Sequence, residues 1–218
     1  MDLFRVFLYQ IWKGDKMLEE EKLLSGSLFN PLHPELIAIK RVAHNLCIRY
    51  NQTYEDDIEQ RNKIIAKLFK KSGENIYLQG PINFNYGCHT TIGNHFFANY
   101  NLTVLDDALV TIGNHVMLGP NVTIATPIHP LVSEERKSKT DEEGNKFSPC
   151  YAKPTVLGDN IWVAAGVIIC AGVIIGKDTV IGAGSVVTKN IPNGVLAAGN
   201  PCKVIRNIDH GDSMKNII

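Results

Sequence analysis

Several things are missing from this 218-residue chain, and each absence excludes something. Neither charge sign is in excess: 22 Lys and Arg face 22 Asp and Glu, for a formal net charge of zero. That removes the simplest case for a nucleic-acid partner, which needs a basic face. No apolar run reaches the roughly 18–20 residues of a membrane span, so none is expected. The opening MDLFRVFLYQIWKGDK is interrupted by Arg5 and has no small-residue cleavage site, which argues against a secretory signal. There is no CxxC. The five cysteines, Cys47, Cys88, Cys150, Cys170 and Cys202, are odd in number and scattered. That pattern fits a reducing cytoplasm better than a disulfide framework or a zinc cluster. His89, His95, His115 and His129 form no HxxxxH pair, which disfavours a hexapeptide-type carbonic anhydrase, and no metal is expected. GxSxG is absent too, so the sequence offers no serine nucleophile of that type.

What the chain does have is Val and Ile, 40 in all, and glycine that is unevenly spread: 15 of 18 lie between Gly73 and Gly199. This suggests two regions with a boundary near Ser72–Gly73. The first reads as helical. After Pro34, apolar Leu36, Ile39, Val42/Ala43, Leu46 and Tyr50 recur at helical spacing. A second amphipathic segment carries Ile58, Ile64/Ile65, Leu68 and Phe69, with Thr53 as its expected cap and Ser72-Gly73 as its expected end.

The second region repeats in sixes. From Leu157 the first positions are Leu157, Val163, Ile169, Ile175, Ile181 and Val187, all aliphatic. An earlier tract keeps the period from Ile92 and Ala98, slips phase around Asp106–Asp107, and resumes at Ile112 and Leu118. Six is not a helix period, and residues 155–191 leave no room for the long crossovers that βαβ units need. The period predicts short parallel strands around a triangular coil, with one inward aliphatic per face and Gly, Asn or Asp at the corners. The period is lost between Thr126 and Pro154, which predicts a projecting loop over 126–154.

The hexapeptide tract, the helical preface ending IRYNQT, the stretch HFFANYNLTVLDD, the loop PIHPLVSEER and the tail LAAGNPCKVIRNI resemble the maltose/galactoside O-acetyltransferase family across about residues 17–208. The resemblance implies a mainly β protein, a left-handed parallel β-helix of hexapeptide repeats with an N-terminal helical cap. The expected division is an extension at 1–16, a maltose-acetyltransferase-type cap at 17–73, the β-helix at 74–208 and a tail at 209–218. It implies acetyl-CoA as cosubstrate, a small sugar-like acceptor and a homotrimer with active sites between subunits. By motif match His129 is the catalytic histidine, a residue whose neutral pKa suits general base work on a hydroxyl. Phe97, Asn99 and Asp107 match acceptor-pocket positions. Trp162, Ala165, Ala183, Thr188, Lys203 and Arg206 match positions along the coenzyme A channel, where the two cations would meet phosphate. The chain departs from the family in three places. Phe97 stands where relatives can carry Tyr, Ala164-Ala165 where they often have Gly-Ser, and FNPLHPEL has no Asp near Pro31. A different acceptor on the same scaffold (an antibiotic, serine or an amino sugar) stays open, as does a non-enzymatic β-helix assembly subunit.

Overall fold

The computed structural model describes residues 17–141 and 144–216; the expected 1–16 extension lies outside them. Residues 71–198 wind through three parallel sheets, the three faces of a prism. Hexad first positions stack in register. Ile92, Ile112, Leu157 and Ile175 share one face. Ala98, Leu118, Val163 and Ile181 share the second. Val104, Ile124, Ile169 and Val187 share the third. All twelve are buried and fill the interior. Each large aliphatic contributes about 1.5–3 kcal/mol by leaving water.

The first coils are longer than the period in sixes suggests. Thr91 pairs with Thr111, and Phe97 with Met117, 20 positions apart, whereas Trp162 pairs with Val180, 18 apart. The two extra residues always fall at the same corner, between Phe84 and Ile92 and again between Val104 and Ile112. So the phase slip is a widened corner that recurs. One coil later, the loop 126–154 leaves from that corner.

At the other corners the fourth hexad position takes a left-handed backbone. Gly166 and Gly184 do so, but so do Asn101, Asn121, Asn160, Asp178 and, unexpectedly, His95 and His115. Histidine joins Asn and Asp in tolerating this region, and the two rings stack at 4.6 Å on successive coils. Second-position glycines serve a different need. A Cβ on Gly93 would lie 2.6 Å from the backbone of Gly113 in the next coil.

Three helices precede the prism: α1 (Glu19–Leu24), α2 (Pro34–Asn51) and α3 (Ile58–Leu68). Pro34 opens α2 as expected, and Leu36, Ala43, Cys47 and Tyr50 are buried. Val42 and Ile58 are not; both are more than half exposed. Their periodicity was ambiguous because Ala43 and the pair Ile64/Ile65 already supply the inward stripe. Thr53 does not cap α3. Its hydroxyl donates to the Tyr50 carbonyl at 2.7 Å, closing α2, and accepts from Arg61 Nε at 3.0 Å. α3 ends at Leu68, not at Ser72-Gly73, because Lys71–Ser72 already pairs with Thr91–Ile92 as the first strand. Tyr50 ties cap to coil through its hydroxyl and the Leu78 carbonyl, at 2.7 Å.

A second, smaller core lies outside the prism. Leu23, Phe29, Leu36, Tyr86, Ala108, Cys150 and Ala152 join α1, α2, the widened corner and the returning loop. Phe29 and Cys150 exchange backbone hydrogen bonds, which stitches the cap to the loop. Among the described residues no helix is long and apolar enough to cross a membrane.

Candidate active site

The widened corner collects most of the polar chemistry. Leu105 pairs with Ala125, so Asp106–Asp107 and the loop root lie one above the other. Thr126 joins them: its hydroxyl donates to the Leu105 carbonyl and accepts the Ala108 N–H, both at 2.8 Å. Residues Pro127–Ile128 then leave the coil antiparallel to the returning Tyr151–Ala152. This short ladder fixes the mouth of the loop, and His129 is the next residue out.

His129 is exposed, and its Nδ1 lies 2.8 Å from the Pro149 carbonyl oxygen. A carbonyl can only accept, so Nδ1 carries the proton. That leaves the lone pair on Nε2, the tautomer a general base acting through that nitrogen requires.

The two aspartates of the corner divide their work. Asp106 accepts from the Tyr86 N–H and the Thr90 hydroxyl, both at 2.8 Å, and is fully buried. It is a structural clasp. Asp107 accepts from Asn85 Nδ2 at 2.9 Å. Burial pushes both carboxyls up, against hydrogen bonds that pull them down; at Asp107 the Asn85 bond and the Lys40 charge oppose it. Lys40 donates to the Pro31 carbonyl at 3.0 Å and lies over the Tyr86 ring.

Asn85 and Asn30 are polar residues of this region that sequence reasoning missed. Asn30 is buried, receives the Leu32 N–H, and donates to Asp141 of the loop at 3.3 Å. So an amide occupies the stretch near Pro31 where an aspartate is lacking. Asn85 follows Phe84 at the widened corner as Leu105 follows Val104 one coil later. The 20-residue coil, once known, would have pointed to it.

The predicted site residues fall into two groups. Asp107 and His129 share the widened corner. Phe97 and Asn99 do not join them. They line a groove on the face made of Tyr77–Leu78, Phe97–Ala98, Met117–Leu118, Trp162–Val163, Val180–Ile181 and Val195–Ala198. Trp162, Ala165 and Ala183 line the same groove, with a cavity of about 630 Å³. Its walls are apolar, but Ala165 and Ala183 are exposed, and among the described residues no hydrogen bond is made by either backbone N–H. Gly119 makes room at this spot; a Cβ there would lie 2.7 Å from the Ala165 nitrogen.

Lys203 and Arg206 lie on Lys203–Asn207, which runs antiparallel to Val195–Ala198 and so extends the groove face. Arg206 is already engaged: its guanidinium donates twice to Asp212, at 2.5 and 2.6 Å. The pair holds the Asp212 carboxyl down at about 2. Thr188 is exposed beyond Val186–Val187 on the third face and does not line the groove.

Comparison with known proteins gives a consistent picture. Residues 22–73 match the maltose acetyltransferase hexapeptide capping motif. Residues 154–189 match the bacterial transferase hexapeptide, six repeats. The galactoside O-acetyltransferase of Escherichia coli K12 is 39% identical over 192 residues, covering 88% of this chain and 90% of that protein. A maltose O-acetyltransferase structure from Clostridium difficile 630 is 40% identical with a TM-score of 0.82, covering 89% of this chain and 99% of the other. A galactoside acetyltransferase solved in complex with coenzyme A is 38% identical, also at 0.82, covering 90% and 94%.

Proposed function

The chain belongs to the maltose and galactoside O-acetyltransferase family, and as an acetyl-CoA-dependent O-acetyltransferase of that family we propose that it acetylates a sugar hydroxyl by direct transfer, with His129 as general base. The observation that carries this reading is the 2.8 Å contact between His129 Nδ1 and the Pro149 carbonyl. It fixes the neutral tautomer whose Nε2 can take the hydroxyl proton.

The acceptor oxygen attacks the thioester carbonyl as Nε2 removes its proton. The Ala165 N–H is available to donate to the oxyanion that forms, which offsets the missing Gly-Ser hydroxyl. Collapse of the tetrahedral species expels the coenzyme A thiolate, and the imidazolium returns the proton to sulfur. The apolar groove suits a long, thin pantetheine arm, with the Ala183 N–H available to one of its amides. Lys203 and Arg206, on the strand that extends the groove face, supply the cations for its phosphates. Asp107, steadied by Asn85, orients acceptor hydroxyls.

Phe97 and Asn99 reach this chemistry in a homotrimer. In one chain they lie on a different face from His129, and a second copy closes that distance. The outer column Tyr77, Phe97, Met117, Trp162, Val180 and Leu196 is apolar from end to end, with Met117 and Trp162 each half exposed. Such a surface asks for cover.

The test is His129→Ala, assayed by thiol release from acetyl-CoA with maltose, glucosides, galactosides, amino sugars and serine as acceptors. A loss of about 10²–10⁴-fold is expected, on a sugar acceptor and not on serine. Undiminished turnover in the variant overturns the base assignment, and failure to bind coenzyme A by calorimetry overturns the enzyme reading.

A further inference from the structure

Beside the acceptor corner, but outside the proposed chemistry, three side chains of different kinds converge. Cys88 and His89 are adjacent at the widened corner. Glu20 comes from α1, 69 positions before His89 in sequence. Their ligand atoms, Cys88 Sγ, an imidazole nitrogen of His89 and a Glu20 carboxylate oxygen, all lie within 4.8 Å of one another.

Two of the three are held in place from behind. The His89 ring is buried and stacks on Tyr86, with centroids 4.6 Å apart. Its Nδ1 donates to the Asp106 carbonyl at 2.9 Å, which leaves Nε2 facing Glu20 Oε1 at 3.1 Å. A histidine fixed through one nitrogen by a backbone carbonyl and presenting the other is the usual arrangement behind a metal ligand. α1 carries Glu20 and is anchored at its own start: the N–H groups of Glu19 and Glu20 donate to the Glu35 carboxylate. Leu23 of α1 is fully buried in the smaller core with Tyr86 and Ala108, which gives the cluster an apolar shell. Cys88 is half-buried, leaving a way in.

We propose that Glu20, Cys88 and His89 form a binding site for a zinc-type divalent cation, which clips the N-terminal cap to the widened corner of the coil. The donor set decides the metal. A thiolate, an imidazole and one carboxylate suit Zn²⁺ and disfavour Mg²⁺ and Ca²⁺, which want oxygen ligands. Three protein ligands leave a fourth position for water. Without metal, a proton occupies the line between Nε2 and Glu20. Binding displaces that proton and holds Cys88 as thiolate, so protons are released as the cation enters. The sequence gives no hint of this, because spacing arguments cannot reach a ligand 69 positions away.

The test uses the full chain and Co²⁺ as a spectroscopic stand-in for Zn²⁺, with no activity readout, so it stands or falls apart from the transferase reading. One equivalent of Co²⁺ is expected to bind and to give a thiolate-to-cobalt charge-transfer band, displaced by Zn²⁺. Cys88→Ser abolishes the band, and Glu20→Gln weakens Zn²⁺ binding about ten-fold or more. Circular dichroism confirms that each variant is folded. The proposal is overturned if the folded wild type binds no Co²⁺, if binding gives no thiolate band, or if the band survives Cys88→Ser. Survival would assign the band to another cysteine and leave the trio as an ion-pair cluster.

Discussion

One hydrogen bond sets the tautomer of His129, the proposed base. His129 is exposed like many surface histidines, but the Pro149 carbonyl decides which nitrogen is free. The partner lies 20 positions downstream, at the far side of the loop, so motif match could locate the histidine while spacing could not supply its tautomer. Arg206 makes the opposite point. Sequence assigns it to phosphate, yet the structure pairs it with Asp212. A nucleotide phosphate must compete with that carboxylate. Asp212→Asn is therefore expected to lower the KM for acetyl-CoA and leave the acceptor KM unchanged. Arg206→Ala should raise the KM for acetyl-CoA several-fold. Steady-state kinetics with each substrate varied in turn checks both, and an acceptor-side effect would move Arg206 out of the donor site.

For the strands and corners, the repeat was legible because its physics is local. An inward aliphatic is needed at every face, so the residues that fill the ladders mark themselves. Truncating one should cost what a core cavity costs. Ile169→Ala, fully buried between Ile124 and Val187, is expected to lose about 2–5 kcal/mol in denaturant unfolding. The corners were less legible. A left-handed backbone is satisfied by Gly, Asn, Asp or His, so no single residue signals it. The 20-residue coils hid behind one apparent phase slip, because the widening before Thr90 precedes any clear repeat. Thr126 shows why that corner matters. Its hydroxyl bridges the Leu105 carbonyl and the Ala108 N–H, joining the aspartate bend to the loop root. Thr126→Val leaves the buried Ala108 N–H unpaired, while the Leu105 carbonyl loses the hydroxyl and keeps only the backbone N–H of residue 126, at 3.1 Å. A stability loss of about 1–3 kcal/mol is expected, with kcat falling more than either KM because His129 is mispositioned. An unchanged kcat in a destabilised protein would show that the loop root is held elsewhere.

Across the whole molecule, the groove and the widened corner lie on different faces, and in the proposed homotrimer a second chain would bring them together. Trp162, half exposed in the middle of the outer apolar column, is the residue to test. Trp162→Lys places a charge where apolar surface is to be buried. Sedimentation is expected to show dissociation of the proposed trimer, with activity lost in parallel and the β signature of each chain retained. A monomeric wild type of full activity would refute assembly at this face. The cap follows the same logic. Two of its three helices were predictable from periodicity; α1 was not, nor were the outward positions of Val42 and Ile58, since what counts as inward depends on the coil beneath them.

Composition and period were enough to specify a Val/Ile-filled prism with an interruption at 126–154, because ladder packing repeats every six residues and needs no distant information. Neutral charge and the absence of long apolar runs and paired cysteines narrowed the partners for the same reason: they are sums over the chain. The tertiary structure alone decided which nitrogen of His129 is free, that Asp106 is a clasp while Asp107 faces Asn85, that Arg206 is paired, and that Glu20 meets Cys88 and His89. Each of these depends on groups from separate coils, the cap or the loop meeting at one corner, and hydrogen bonds and ligand sets form across space where sequence distance carries no signal.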